Sequence, residues 1–273
     1  MPLEALVIAL SAAVIHALWN LVIARSPDNQ ATTAVAIFCG TLIAMPFALL
    51  LWNVQAAAWP FIAVSSVLEL VYFILLTTAY RRAEMSLIYP IARGMAPVIV
   101  LIISIVFGVA WTPLQALGVA FVGGGVILVR GLRGPARWAD VALALCVATT
   151  IAGYTLIDKQ GVTYSDPITY LFLILVPSAL GGVLYVGAHG GTSRLRRAVH
   201  WQTILAGIGT TLAYAFVLLA LTLAPAASVA AVRETGVVLA VFLGAVILKE
   251  PVGPGRVVGA FVVVCGVALV VLG

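Results

Sequence analysis

Five charged residues sit inside long apolar stretches of this 273-residue chain: Glu69, Arg93, Asp158, Arg233 and Glu234. A charge at the centre of a bilayer costs roughly 2.5–3.5 kcal/mol on insertion scales, so each calls for pairing, ligand binding or proton transfer. Arg93 follows Tyr89 by four residues, which places both on one helical face. Pro90 and Pro97 bracket it, and each removes a backbone donor that a helix interior needs. A cation beside an interrupted helix suits capture of an anionic solute group; the other reading is a structural ion pair with Glu69 or Glu234. Arg233 and Glu234 are adjacent, about 100° apart around a helix, so they cannot point in one direction. Glu234 could carry a proton or close a fixed Arg–Glu bridge that gates one side. Glu69 precedes Tyr72 by three residues and is read as a coupling site or as the counter-ion of Arg93.

His16, Trp19 and Asn20 form one stripe at spacings of three and four. An asparagine in a span usually hydrogen-bonds a neighbouring helix, and a lone histidine usually packs. Together with Trp19 they also suit a cavity that stacks and hydrogen-bonds a small polar solute, with Tyr154 and Tyr214 as the opposite wall. The candidate substrate-binding set is therefore His16, Trp19, Asn20, Tyr72, Tyr89, Arg93, Tyr154, Tyr214 and Arg233, with Glu69 and Glu234 for proton coupling or gating. Asp158 and Lys159 read as a span end reaching the interface. Trp52, Trp59, Trp111, Trp138 and Trp201 lie at span ends and read as interfacial anchors.

The elements that must position these residues follow from composition. Hydrophobic residues make up 64% of the chain, charged residues 8%, and the mean hydropathy is +1.21. Soluble domains carry about 25% charged residues, so an ordinary soluble domain is excluded. Apolar runs of about 20 residues predict an all-α integral membrane protein with ten transmembrane helices. They cover Glu4–Ile23, Ala31–Trp52, Pro60–Ala79, Ser86–Phe107, Leu114–Val129, Ala139–Ile157, Ile168–Val186, Gln202–Leu221, Ala226–Leu248 and Val257–Leu272. No basic residue precedes Arg25, which argues for a retained first span over a cleaved signal peptide. Cys39, Cys146 and Cys265 all lie in apolar runs and read as small core residues.

The basic residues alternate between loops. Those after the odd-numbered spans hold Arg25, Arg81, Arg82, Arg130, Arg133, Arg137, Arg194, Arg196, Arg197, Lys249 and Arg256, eleven of the fourteen. The positive-inside rule then sets both termini on the non-cytoplasmic side of a prokaryotic inner membrane. The net charge of +5 thus reports orientation, and no nucleic-acid partner is expected.

The chain also echoes itself. Gly118-Val119-Ala120-Phe121-Val122-Gly123-Gly124-Gly125 recurs as Gly259-Ala260-Phe261-Val262-Val263-Val264-Cys265-Gly266. Glycines seven apart face one way, so close packing between the halves or between protomers is expected. Residues 1–134 and 135–273 then form two five-helix repeats of one transmembrane domain. Five is odd, so the second repeat is inverted relative to the first, the ground plan of alternating access.

On these residues the chain resembles the drug/metabolite transporter superfamily, in its EamA-type ten-helix branch. Leu248-Lys249-Glu250-Pro251 followed by Gly259 and Gly266 is similar to that family's acidic end of the ninth helix, with Lys249 where a glycine is usual. His16-Ala17-Leu18-Trp19-Asn20, Tyr89-Pro90-Ile91-Ala92-Arg93-Gly94 and Val232-Arg233-Glu234 resemble one subgroup of the branch. The resemblance implies movement of small metabolites, often export, without ATP.

No Gly-Lys-Ser/Thr phosphate loop or metal-ligand cluster stands in the sequence, so no cofactor, metal or catalytic residue is expected. Two intramembrane arginines among aromatics point to a small-molecule substrate with an anionic group: an amino acid or an organic or phosphorus acid. Glu69 or Glu234 would couple it to protons. A lipid or lipid-carrier flippase and a non-transporting partner subunit are the alternatives. Membrane lipids are the other expected partner, and monomer and homodimer both remain open.

Overall fold

A computed structural model describes residues 1–82, 85–130, 137–247 and 253–273. Among these the structure is helical, apart from a 3-10 turn at Ala56–Ala58 and a bridge between Val54 and Ser165. In hydrocarbon every backbone polar group must bond internally, which helices do within one segment. The helices are α1 (Leu3–Ala24), α2 (Asn29–Leu50), α3 (Trp59–Arg82), α4 (Met85–Val106), α5 (Pro113–Arg130) and α6 (Trp138–Gly161). After them come α7 (Pro167–Gly190), α8 (Thr192–Ala198), α9 (Trp201–Leu223), α10 (Ala226–Arg233), α11 (Thr235–Ile247) and α12 (Pro254–Leu272). Among the described residues eight stretches are long and apolar enough to cross a membrane, one of them running through α10 and α11 as Ala226–Leu243. Ile91–Val106 and Pro113–Val129 are apolar but shorter.

Several expectations change. The ninth apolar run is not one helix: it breaks at Glu234 between α10 and α11. The Glu234 amide bonds the Ala231 carbonyl at 3.1 Å, and the Val237 amide bonds the Glu234 carbonyl at 2.9 Å. These three-residue closures tighten the helix locally, the usual mark of a joint. The prolines of α4, by contrast, do not interrupt it, and helix runs unbroken through Pro90 and Pro97. The anticipated break therefore lies in the other half. The sixth run continues past Asp158 and Lys159 to Gly161, so neither residue ends the helix. Trp138 and Trp201 are exposed as anchors should be, but Trp111 packs against the core. Leu248-Lys249-Glu250-Pro251 falls outside the described residues, as does the side chain of Tyr89.

Packing gathers the helices in pairs: α5 on α12, α1 on α9, α3 on α6 and α7, α2 on α7 and α9, and α4 on α5, α6 and α10. The echoed glycines form the α5–α12 seam. A Cβ on Gly118 would stand 2.6 Å from the Gly266 carbonyl oxygen, and one on Gly266 2.7 Å from that of Gly118. Gly125 and Gly259 face each other in the same reciprocal way, at 2.9 and 2.7 Å. Only hydrogen at these four positions lets the two backbones touch.

The ends of the bundle are fastened differently. Asp28 caps α2 by accepting from the Ala31 amide at 3.1 Å, and Asp166 caps α7 by accepting from Ile168 at 2.9 Å and Thr169 at 3.2 Å. Beyond the far end of α2 the backbones pair directly, Gln55 amide to Tyr164 carbonyl and Asp166 amide to Asn53 carbonyl, both 3.0 Å. At its near end Arg194 of α8 donates to both oxygens of Asp28, at 2.8 and 2.9 Å. The start of α1 meets the end of α12, where the Met1 nitrogen donates to the Val271 carbonyl at 3.4 Å.

Candidate functional site

The charged residues converge. Arg93 of α4 reaches Glu234, at the joint between α10 and α11, with an N–O distance of 3.1 Å. Both side chains are under a tenth exposed, so this is a desolvated pair between the two halves. Glu234 thus fills the counter-ion role that had been left open between it and Glu69. Its second oxygen, Oε2, is buried without a hydrogen-bond partner among the described residues.

Glu69 belongs to a second assembly. The Tyr214 hydroxyl of α9 stands 2.8 Å from Glu69 Oε1 and 2.6 Å from Asp158 Oδ2. Asp158 is completely buried and also accepts from the Ser65 hydroxyl at 2.5 Å and the Tyr170 hydroxyl at 3.1 Å. The interfacial reading of Asp158 is therefore wrong. Its neighbour Lys159 also turns inward, donating to the Leu221 carbonyl at 2.5 Å. The helix continues, and hydroxyls from α3, α7 and α9 replace the water that a span end would have offered. The spacing did hold a signal: Asp158 follows Tyr154 by four residues, and Ser65 precedes Glu69 by four.

Aromatic rings connect the two assemblies. Tyr154 meets Tyr72 edge-on at 6.0 Å and Tyr214 at 6.3 Å. Tyr154 packs in one cluster with Ala92 and Ala96 of α4, on the helix that carries Arg93. On α1 the His16 and Trp19 rings meet edge-on at 4.9 Å. Trp19 sits against Gly209 of α9, where a Cβ would stand 3.1 Å from the Trp19 Cβ. The Trp19 indole nitrogen is buried and has no hydrogen-bond partner among the described residues. Asn20 instead bonds its own helix, donating to the His16 carbonyl at 2.8 Å.

Arg233, half-buried at the end of α10, is electrostatically coupled to His16, Glu69, Tyr154, Asp158 and Glu234. Among the described residues it has no ion-pair partner of its own. The buried zone thus brings together His16, Trp19, Tyr72, Arg93, Tyr154, Tyr214, Arg233, Glu69 and Glu234. It adds Asp158, Ser65 and Tyr170, and it leaves Asn20 bonded to its own helix.

A separate cavity of about 600 Å³ lies at the Arg25 end, lined by Val22, Arg25, Asp28, Arg194, Arg197 and His200 among others. It does not contain Arg93 or Glu234, though Val22 is one turn from Trp19. Both regions hold charged side chains, and the buried zone also holds the unsatisfied polar atoms of Trp19 and Glu234. The Arg194 side chain, by donating to Asp28, holds that carboxyl below its usual range.

Residues 138–272 match the EamA-like transporter family. The chain belongs to that family, within the drug/metabolite transporter superfamily. A solved crystal structure of a protein matches it with a TM-score of 0.77 and 15% identity, over 100% of this chain and 98% of that one. At such identity the likeness speaks for the fold alone. No curated protein matches the chain. Family and apolar helices together make this EamA-type protein a multi-pass membrane transporter. Among the described residues no group of His, Cys, Asp and Glu could hold a metal ion.

Proposed function

We propose that this EamA-type protein exports a small polar metabolite with an anionic group, an amino acid or an organic or phosphorus acid, across the inner membrane by alternating access. One observation carries the reading: Arg93 and Glu234 pair across the two halves at the joint of α10 and α11, beside Arg233, which has no ion-pair partner among the described residues. A substrate anion competing for Arg93 would loosen the joint, which turns binding into helix movement. Trp19 and the tyrosines supply rings and hydrogen-bond donors around that point. The basic cavity at the Arg25 end would serve as the approach from the cytoplasm, because a cationic mouth concentrates anions.

Alternating access draws support from pseudo-symmetry. Assign the ten spans as α1 to α7, α9, α10–α11 and α12, and exchange the halves 1–134 and 135–273. Several of the main packed pairs then map onto one another: α1–α9 onto α6–α3, α2–α9 onto α7–α3, and α4–α6 onto the α10–α11 span with α1. The reciprocal glycine seam maps onto itself. An even number of crossings agrees with the start of α1 meeting the end of α12. The loop charges then favour both termini outside the cytoplasm.

The test is efflux from proteoliposomes preloaded with labelled amino acids and small organic and phosphorus acids. Arg93→Ala and Arg233→Ala should each lower the rate at least about tenfold, the equivalent of about 1.4 kcal/mol of binding. Folded variants that transport at the unmodified rate would remove both arginines from the site. A proton uncoupler should slow export if Glu69 or Glu234 couples it, and indifference to the uncoupler argues for transport down the substrate gradient alone.

A further inference from the structure

The Ser65–Asp158–Tyr214–Glu69 assembly contains one contact more than its hydroxyls have hydrogens. Four contacts within hydrogen-bond distance join it: Ser65 to Asp158, Tyr170 to Asp158, Tyr214 to Asp158, and Tyr214 to Glu69. The three hydroxyls supply three hydrogens, because serine and tyrosine each carry one O–H donor. Two ionised carboxylates would supply none. Tyr214 would then face two acceptors, at 2.6 and 2.8 Å, with a single hydrogen. Both distances are those of full O–H···O bonds. The fourth contact therefore needs a fourth hydrogen, and only Glu69 or Asp158 can bear it.

We infer that Glu69, Tyr214 and Asp158 form a binding site for one proton, which rests on Glu69 and passes to Asp158 through the Tyr214 hydroxyl. Hydrogen-bond number decides where it rests. With the proton on Glu69, the Asp158 anion accepts from Ser65, Tyr170 and Tyr214. With the proton on Asp158, the Glu69 anion accepts, among the described residues, from Tyr214 alone. Bonds to an anion are the stronger ones, so the first arrangement is preferred. Access points the same way, since Glu69 keeps some accessible surface while Asp158 has none.

The transfer balances. The Glu69 O–H bond breaks as its proton moves to the Tyr214 oxygen, and the Tyr214 O–H bond breaks as its proton moves to Asp158 Oδ2. Tyr214 ends unchanged, Glu69 ends as the anion and Asp158 as the acid. One proton has crossed from α3 to α6 without a charged tyrosine. The groups facing this site are Tyr72 on α3, Tyr154 on α6, Tyr170 on α7, Tyr214 on α9, Arg233 on α10 and, through Tyr154, Arg93 on α4. Asp158 and Tyr214 become positioning and relay residues, and Glu69 the site of exchange.

Its role in coupling rests on the transport reading above; the proton itself does not. Infrared spectra of the protein in liposomes, with no substrate present, read the carbonyl band of a protonated buried carboxyl. One such band is expected at neutral pH. It should shift when glutamate carboxyls are isotope-labelled, stay put when aspartate is labelled, and vanish in Glu69→Gln. The labelling arm uses the unmodified chain, so a folding defect in the variant cannot obscure it. Absence of the band at neutral pH, a shift on aspartate labelling, or survival of the band in Glu69→Gln each overturns the proposal. In proteoliposomes Glu69→Gln should lose acceleration by an imposed pH gradient. A band without any transport sinks the transport reading and leaves the proton site standing; transport without the band does the reverse.

Discussion

Two buried polar assemblies flank Arg233, and they balance charge by different means. Arg93 and Glu234 cancel each other across a 3.1 Å ion pair that joins α4 to the α10–α11 joint. Glu69 and Asp158 would carry like charges if both were ionised, and they are reconciled by three hydroxyls and, in our proposal, one proton. The contrast fixes what each can respond to. An ion pair yields to another ion or to helix movement, whereas a carboxyl pair yields to a proton. The proposed proton-coupled transport would draw on both kinds of response.

The largest effect that would break this contrast is removal of one partner of the ion pair. Arg93→Ala leaves Glu234 buried and uncompensated, which should cost about 3–5 kcal/mol of stability, as losing half of a buried pair does. Arg93→Met with Glu234→Leu should recover most of that loss in thermal unfolding of the detergent-solubilised protein. Equal loss in the single and double variants would mean that the two charges are not coupled.

A smaller effect is expected at the other assembly. Tyr214→Phe strips a hydrogen-bond partner from both carboxyls, at about 1–3 kcal/mol for leaving buried acceptors unmet. Adding Glu69→Gln to Tyr214→Phe should cost less than the sum of the two single changes, because one network is involved. Additive losses in unfolding would argue that the hydroxyl does not bridge the pair.

The smallest effect belongs to the ion pair outside the membrane, where water screens both partners. Arg194 holds the Asp28 carboxyl below its ordinary range by donating to it. A depressed carboxyl contributes stability that is present above its unfolded value and is lost as pH falls through its folded value. Unmodified protein and Asp28→Asn should therefore differ slightly in unfolding temperature at neutral pH and converge only below the usual carboxylate range. High salt should narrow the gap at neutral pH, while the Arg93–Glu234 contribution should resist salt. Similar salt sensitivity at both pairs would erase the distinction between buried and exposed.

Much of the plan was legible in the residues themselves. Glycines at 118, 125, 259 and 266 announced close packing, and the structure sets Gly118 against Gly266 and Gly125 against Gly259 across α5 and α12. The apolar runs marked nearly every helix, because backbone satisfaction in hydrocarbon leaves few options. Asp158 was misplaced because a carboxylate followed by lysine looks the same at a water interface as in a hydroxyl-lined core. The joint was expected at the prolines of α4 and lies at Glu234, where no proline stands. A proline can be accommodated when neighbouring helices hold the segment, and a tightened turn leaves no mark in composition.

The sequence by itself determined a membrane protein of apolar helices, its repeated glycine seam and the short list of charges that had to be explained. Spacing along a helix carried that much, since it depends only on neighbours three and four residues away. Which charge met which was decided by tertiary structure alone. Arg93 lies 141 residues from Glu234, and Glu69 lies 145 from Tyr214, distances over which no local rule acts. Only the packing of α3, α4, α6, α9 and α10 against one another brings those side chains within hydrogen-bond range.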